Sequence, residues 1–275
     1  MAATLYLVPT PIGNLGDISD RCREILQTVD FIAAEDTRVS LKLLNHLGIK
    51  KSLVSYHEHN KAESGEKILA RLQSGESCAL VTDAGTPAIS DPGEDLVRLC
   101  AEAGISVCSI PGPCAAITAL SVSGLPTRRF TFEGFLPTSK KERKEQLNRL
   151  VREERTMIFY EAPHKLRATL LDLLEAFGGE RKIALCRELT KLHEDIQRTT
   201  LREAVTFYES NEPRGEYVLV LAGCKADAEI LTQEQALCLV STLMARGLSK
   251  KDAVKQVARE TGFPKNTLYD AAIDL

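Results

Sequence analysis

Aromatic residues make up only 5% of the 275 residues, and tryptophan is absent. No strand of the RNP type gathers the aromatics that remain, so stacking platforms are excluded as a main mode of ligand recognition. No apolar run approaches the roughly 20 residues of a membrane span. No charged-then-apolar leader precedes the first apolar run, so export is not expected and a cytoplasmic location is. G-x-G occurs nowhere, nor does a Walker-type lysine loop, which disfavours a phosphate-cradled cofactor. The eight cysteines form no C-x-x-C pair and the five histidines supply no zinc spacing, so reduced thiols are expected and a metal is not. A net charge of −3 excludes a uniformly basic coat but leaves room for a local basic face.

What the chain does have is punctuation. Three times in its first half an apolar run empties into a Pro- and Gly-rich loop. Leu5–Val8 runs into Pro9-Thr10-Pro11-Ile12-Gly13-Asn14-Leu15-Gly16. Cys78–Thr82 runs into Asp83-Ala84-Gly85-Thr86-Pro87, and Val107–Ile110 into Pro111-Gly112-Pro113. Buried strands with bare-backbone loops at their carboxyl ends are how open α/β sheets hold small ligands.

Between Thr4 and Gly124 these runs alternate with helix-period stripes such as Ile18, Cys22, Ile25, Leu26 and Val29, or Val39, Leu43, Leu44 and Leu47. The alternation implies right-handed crossovers and a mostly parallel sheet. The pattern pauses around Gly124–Arg129, and a second set follows. Strands are expected at Phe130–Phe135, Met157–Tyr160, Lys182–Cys186 and Gly215–Leu221, with helices over about 140–152 and 163–177. Their looser spacing suggests a mixed sheet. From Leu231 the spacing predicts three helices. Gly247-Leu248-Ser249 and Gly262-Phe263-Pro264 form the turns, in the proportions of a helix-turn-helix. The expected division is therefore an α/β domain over 1–125, a second over 126–226 and a small helical extension over 230–275.

Charge is uneven. Between Pro126 and Arg155 nine basic residues, including Arg128, Arg129, Lys140, Lys141, Arg143 and Lys144, face five acidic ones. Such a patch can steer and hold phosphate; equally, it is a solvated helix laced with i,i+4 ion pairs. The tail adds Arg246, Lys250, Lys251, Lys255, Arg259 and Lys265, suited either to clamping a polyanion or to packing on a second copy.

Five motifs, in order, carry a resemblance. They are Leu7–Leu15, Ala34-Glu35-Asp36-Thr37-Arg38, Thr82–Pro87, Ile110–Ala115 and Glu133-Gly134-Phe135-Leu136-Pro137. Phe159-Tyr160-Glu161 and Arg187-Glu188-Leu189-Thr190-Lys191 continue it. Together they are similar to the ribosomal RNA small subunit methyltransferase I family of the tetrapyrrole-methylase superfamily. The resemblance implies the class III methyltransferase fold: two α/β domains with S-adenosylmethionine (SAM) between them, and a helical tail. It implies methyl transfer to the ribose 2′-hydroxyl of a decoding-centre cytidine in small-subunit (16S) ribosomal RNA, by a homodimer; the sequence leaves free RNA and the assembled 30S subunit both open as substrate, with the assembled subunit the expected one. Residue by residue it carries SAM contact onto Ala84, Gly85, Thr86, Ile89, Pro113, Cys114 and Ala115. In the second domain it points to Phe159, Tyr160, Arg187, Glu188, Gly215 and Glu216.

The residues themselves leave choices open. Asp83 adds a carboxylate to its loop, for cofactor contact or as the cap of a plain turn. The small residues after Pro111-Gly112-Pro113 suit either a ligand or close helix packing. Deprotonating a ribose hydroxyl calls for a base. Glu35, Asp36, Glu161, His164, Glu188 and Lys191 are the candidates, with Glu161, Glu188 and Lys191 foremost. For Glu35, Asp36 and Arg38 an internal ion pair and helix cap is the competing role. For His164 it is a partly buried helix face, and for Lys191 phosphate binding. The basic patch and tail favour RNA over a tetrapyrrole precursor, and over a nucleic-acid-binding module that merely senses a ligand.

Overall fold

The computed structural model describes residues 3–224, 233–245, 247–261 and 265–272. It falls into two units, Met1–Gly223 and Cys224–Leu275. In the first, β1 (Thr4–Leu7), β2 (Phe31–Ala34), β3 (Ser52–Ser55), β4 (Cys78–Val81) and β5 (Ser106–Ser109) make a sheet ordered β3-β2-β4-β1-β5. Every pair is parallel. Strands β2 and β4 are buried at all four positions, because helices cover both faces. On one face Cys22 and Leu26 of α1 (Asp20–Thr28) and Leu44 of α2 (Thr37–His46) meet Ile32 and Ala79. On the other, Ile68 and Leu72 of α3 (Lys61–Gln73) and Leu96 and Cys100 of α4 (Glu94–Glu102) meet Leu5 and Leu80.

Helix α5 (Ala115–Val122) follows β5 but packs on the next sheet. Its Ala119 and Leu120 share a core with Ile158, Ala184, Cys186, Val218 and Val220, the alanine letting helix and strands approach closely. That sheet has β6 (Phe130–Phe135), β7 (Thr156–Glu161), β8 (Lys182–Arg187), β9 (Asp195–Thr200) and β10 (Tyr217–Leu221) in the order β6-β7-β10-β8-β9. It is mixed: β6 and β7 run parallel, and the other pairs antiparallel. Its far face is covered by α6 (Lys140–Leu150), α7 (Pro163–Phe177) and α8 (Leu201–Ser210), through Leu147, Leu166, Leu170, Leu173, Leu201 and Ala204. Pro163 occupies the first turn of α7, where its missing N–H costs nothing.

Strand β9 and helix α8 were not expected from the sequence. The strand reads Asp-Ile-Gln-Arg-Thr-Thr, an antiparallel edge with one wet face and a single large apolar residue. The helix did carry a signal, since Thr200 and Glu203 form a reciprocal capping box at its start.

The second unit contains α9 (Gln233–Ala245), α10 (Lys250–Thr261) and α11 (Lys265–Ala271), packed around Ala236, Val240, Ala253, Val254, Val257 and Leu268. Ser249 caps α10, its Oγ accepting from Asp252 N at 3.2 Å. Arg246 and the turn Gly262-Phe263-Pro264 lie outside the described residues, as do the side chains of Arg259 and Lys265.

Candidate active site between the two sheets

Strands β4, β1 and β5 are neighbours, so their three loops emerge side by side and bond to one another. Thr10 and Gly85 exchange backbone hydrogen bonds, Thr10 N to Gly85 O at 2.9 Å and Gly85 N to Thr10 O at 3.0 Å. The Thr10 hydroxyl donates to Thr82 O at 3.1 Å, and the Thr86 hydroxyl to Pro113 O at 2.8 Å. Gly85 sits at φ +90°, a conformation open to glycine. The loops thereby form one rigid wall.

The facing wall is a row of side chains across the second sheet. Val218 is in register with Tyr160 on one side and Cys186 on the other. Between the walls is a cavity of about 400 Å³, within the roughly 300–1,000 Å³ typical of small-molecule sites. Tyr160 is wedged edge-on against Phe132 and Phe135, at centroid distances of 5.0 and 5.5 Å. Its hydroxyl accepts from Ala116 N, at the start of α5, at 3.2 Å. Burial pushes that phenol up to about 12.

Of the expected cofactor residues, Ala84, Gly85, Thr86 and Ile89 line the cavity from one wall, as do Cys114, Ala115, Tyr160 and Glu216 elsewhere. Asp83, Pro113, Phe159, Arg187, Glu188 and Gly215 do not line it. Strands alternate, so with Tyr160 turned to the cavity, Phe159 is turned away. Its ring is fully buried among the residues beneath α7, where it contributes about 2–3 kcal/mol to the core. Arg187 lies two residues beyond Leu185 and shares that helix-covered side. Gly215, at φ +76°, makes room for Glu188: a Cβ there would stand 2.5 Å from Glu188 Cγ. Asp83 Oδ1 accepts from Asp36 N at 3.1 Å, and the Pro113 carbonyl receives Thr86.

The foremost base candidates are also engaged. Glu161 touches the cavity but is 5% exposed. It accepts from Ala162 N at 2.9 Å and from the buried Thr169 hydroxyl. Lys191 lines the cavity with its ammonium 2.8 Å from both Glu188 Oε1 and Glu216 Oε2. Burial works against that charge, but the two carboxylates outweigh it and the Lys191 pKa is raised. Lys191 in turn holds Glu188 below the usual carboxylate range. Glu188 and Thr190 adopt positive φ, 51° and 67°, a strained corner at the cavity rim. Asp36 caps α2 and chelates Arg38, while Glu35 accepts from the Thr82 hydroxyl at 2.7 Å. His164 is exposed on α7.

Among cavity residues not anticipated are Ile12, Ser90, Asp91, Phe135, Cys186 and Val218. Cys186 and Val218 required the register of β8 and β10. Asp91 carried a local signal, since Ser90-Asp91-Pro92-Gly93 is a second turn just beyond the first. Burial chiefly, then the negative charge of Glu35, pushes the Asp91 carboxyl up to about 6.

The basic patch needs one correction. Arg128, Arg129, Lys140, Lys141 and Lys144 are exposed, but Arg143 is buried. Its Nε lies 2.5 Å from Asp172 Oδ2 and its Nη2 donates to Thr169 Oγ1 at 2.7 Å. A position on the inner face of α6, against α7, turns this arginine into a buried clamp.

Residues 4–205 match the family described as Tetrapyrrole (Corrin/Porphyrin) Methylases, and residues 232–275 match the RsmI C-terminal HTH domain. The Ribosomal RNA small subunit methyltransferase I of Synechocystis sp. is 50% identical over 272 residues, covering 98% of both chains. The protein of the same name from Escherichia coli O157:H7 is 48% identical, covering 98% of this chain and 94% of its own. Among solved structures, diphthine synthase aligns with a TM-score of 0.62 at 13% identity, over 80% of this chain and 90% of its own. The methyltransferase CobJ gives 0.61 at 17% identity, over 82% and 95%. Those two likenesses show the fold.

Proposed function

Since the chain belongs to the ribosomal RNA small subunit methyltransferase I family, within the tetrapyrrole methylases, we propose that it transfers a methyl group from SAM to small-subunit ribosomal RNA. The acceptor in this reading is the ribose 2′-hydroxyl of a decoding-centre cytidine. The observation that carries it is the cavity itself, closed by a backbone wall of three loops and floored by Tyr160, Val218 and Cys186. Methylation of a tetrapyrrole precursor and non-catalytic ligand sensing are not favoured, because the full-length relatives bear the ribosomal name.

The residues present fit SAM. Ile12, Ile89, Val218 and Tyr160 offer apolar surface for a purine. Asp91 puts negative charge on the wall, with Glu35 and Asp83 behind it. That field suits a sulfonium and an ammonium and repels phosphate, in keeping with the missing G-x-G. Ala84, Gly85, Thr86 and Ala115 would hold the molecule along the loop wall, and Glu216 at the rim. When bound, SAM supplies a methyl carbon already made electrophilic by its sulfonium. The chain's own work is to orient the hydroxyl, take its proton and exclude water. Lys191, locked between Glu188 and Glu216, is suited to orienting a ribose or phosphate at the rim, its fixed charge barring it from acting as a neutral base.

Arg128, Arg129, Lys140, Lys141 and Lys144 would meet RNA phosphates. The assembled 30S subunit as substrate, a homodimer and a cytoplasmic location complete the proposal. Family membership supports them, and among the described residues no helix is long and apolar enough to cross a membrane. Labelled SAM incubated with 30S subunits, naked ribosomal RNA and a porphyrinogen tests the whole. Label in 30S ribose is expected; label in the porphyrinogen alone, or binding without transfer, overturns it. Sedimentation equilibrium tests the dimer.

A further inference from the structure

The cavity is recessed between two walls, so an acceptor ribose has to enter it from the rim. A nucleotide stacked in folded RNA is held by both its neighbours, and drawing its sugar into a crevice costs unstacking. Apolar side chains offset that cost in nucleic-acid complexes by wedging into the opened step. Aromatic residues are scarce in this chain, so the task falls to an aliphatic side chain.

One residue at the rim has that character. Leu192 stands in the loop that joins β8 to β9 and is 93% exposed. Among the described residues the next most exposed large apolar side chain, Phe135, reaches only 57%. Leu189 and Lys191 of the same loop line the cavity. The loop is braced. Leu189 is buried in the core that Ala119 and Ile158 share. Thr190 N donates to Glu194 Oε2 at 2.6 Å, Lys191 N to Glu188 O at 3.0 Å, and Glu194 N to Lys191 O at 3.1 Å. The Lys191 ammonium is pinned by Glu188 and Glu216. Its stem lies against the loop after β1, where a Cβ on Gly13 would collide with Lys191 Cγ. Leu192 therefore projects from a fixed tip. It buries almost none of its surface in this fold, so folding supplies no reason for a leucine there.

We infer that Leu192 is a wedge that enters the RNA stack as the target nucleotide swings out, and so positions the ribose at the rim beside Lys191. RNA is the occupant, because the tip adjoins the cavity where the acceptor has to arrive. The residue before it in the chain is a fixed cation suited to a sugar or a phosphate. The leucine makes and breaks no bond. It lowers the cost of the productive pose and leaves the cofactor untouched. The wedge rests on the proposed methyl transfer to ribose.

The test compares Leu192→Ala with Leu192→Met. Leu171→Ala is the control, since Leu171 is 54% exposed on α7, the helix that covers the far face of the second sheet. On 30S subunits kcat/KM is expected to fall by about 10–100-fold in Leu192→Ala. It is expected to return to within about threefold of wild type in Leu192→Met, and to be unchanged in the control. SAM affinity by calorimetry, melting temperature and sedimentation are expected to match wild type in all three. A second substrate isolates the wedge: 30S subunits carrying a base substitution that breaks the pairing next to the target nucleotide. There the stack is already open, and the deficit of Leu192→Ala is expected to shrink by at least about threefold. A Leu192→Ala protein with wild-type kcat/KM, or with the same deficit on both substrates, overturns the wedge and leaves the methyltransferase reading intact. A lowered melting temperature or altered sedimentation also overturns it, by assigning Leu192 to packing or to contact between copies. Wild-type protein that methylates no ribose overturns the reading beneath it.

Discussion

Replacing Arg143 by alanine separates a buried clamp from a phosphate-binding arginine. Its side chain is 10% exposed and bonds to Thr169, which in turn donates to Glu161. Truncation leaves Asp172 without its cation and the Thr169–Glu161 pair without its outer donor. Breaking a fully buried ion pair costs about 3–5 kcal/mol. Asp172 is 43% exposed and regains water, so screening reduces the expected loss to about 2–3 kcal/mol. With a urea m-value of about 2–3 kcal/mol per molar, the unfolding midpoint should fall by about 1 M. Lys141→Ala, on the exposed side of the same helix, should stay within about 0.5 kcal/mol. RNA binding should show the reverse. Losing Lys141 should lower the slope of log affinity against log salt by about 1, whereas losing Arg143 should leave the slope alone. An Arg143→Ala protein of wild-type stability with a shallower salt slope would refute the reasoning.

Gly85→Val should weaken SAM binding by at least about tenfold, or about 1.4 kcal/mol. A Cβ there meets Ile12 Cγ2 at 3.3 Å and the φ of +90° resists a branched side chain; Asp83→Ala, just behind the cavity lining, should weaken it less, and calorimetry ranks the two. Charge reversal at both Lys140 and Lys144 should reduce RNA affinity and its salt slope with SAM affinity intact, by titration at several ionic strengths. Asp91 has a folded pKa of about 6, raised from the model-peptide value of about 3.9. Its contribution to stability is therefore present below about pH 4 and lost as pH rises through 6. The two-unit shift corresponds to nearly 3 kcal/mol, and solvent access reduces it to about 1. Asp91→Asn should melt above the wild type at pH 7 and alongside it at pH 4, and a melting difference independent of pH would contradict this.

Much of the framework is written locally. Apolar runs ending in Pro and Gly announce β1, β4 and β5 because strand propensity and turn chemistry act within a few residues. The looser spacing after Arg129 announced a mixed sheet for the same reason. The motif order carried the family. Edge strand β9 escaped because one solvated face leaves little apolar signal in six residues.

What only the tertiary structure decided is which side of each element faces what. Phe159 and Tyr160 are adjacent, and a strand sends them to opposite faces. α7 covers one face, and the other borders the cavity. Arg143 belongs to a basic stretch by sequence and to the interior by virtue of Asp172 and Thr169, a helix away. Asp91 reads as a turn residue until β2 and β4 pair and bring Glu35 beside it. Chain-local preferences span a turn or a strand, whereas burial and charge depend on neighbours dozens of residues distant. Strand register and helix packing alone make those neighbours meet.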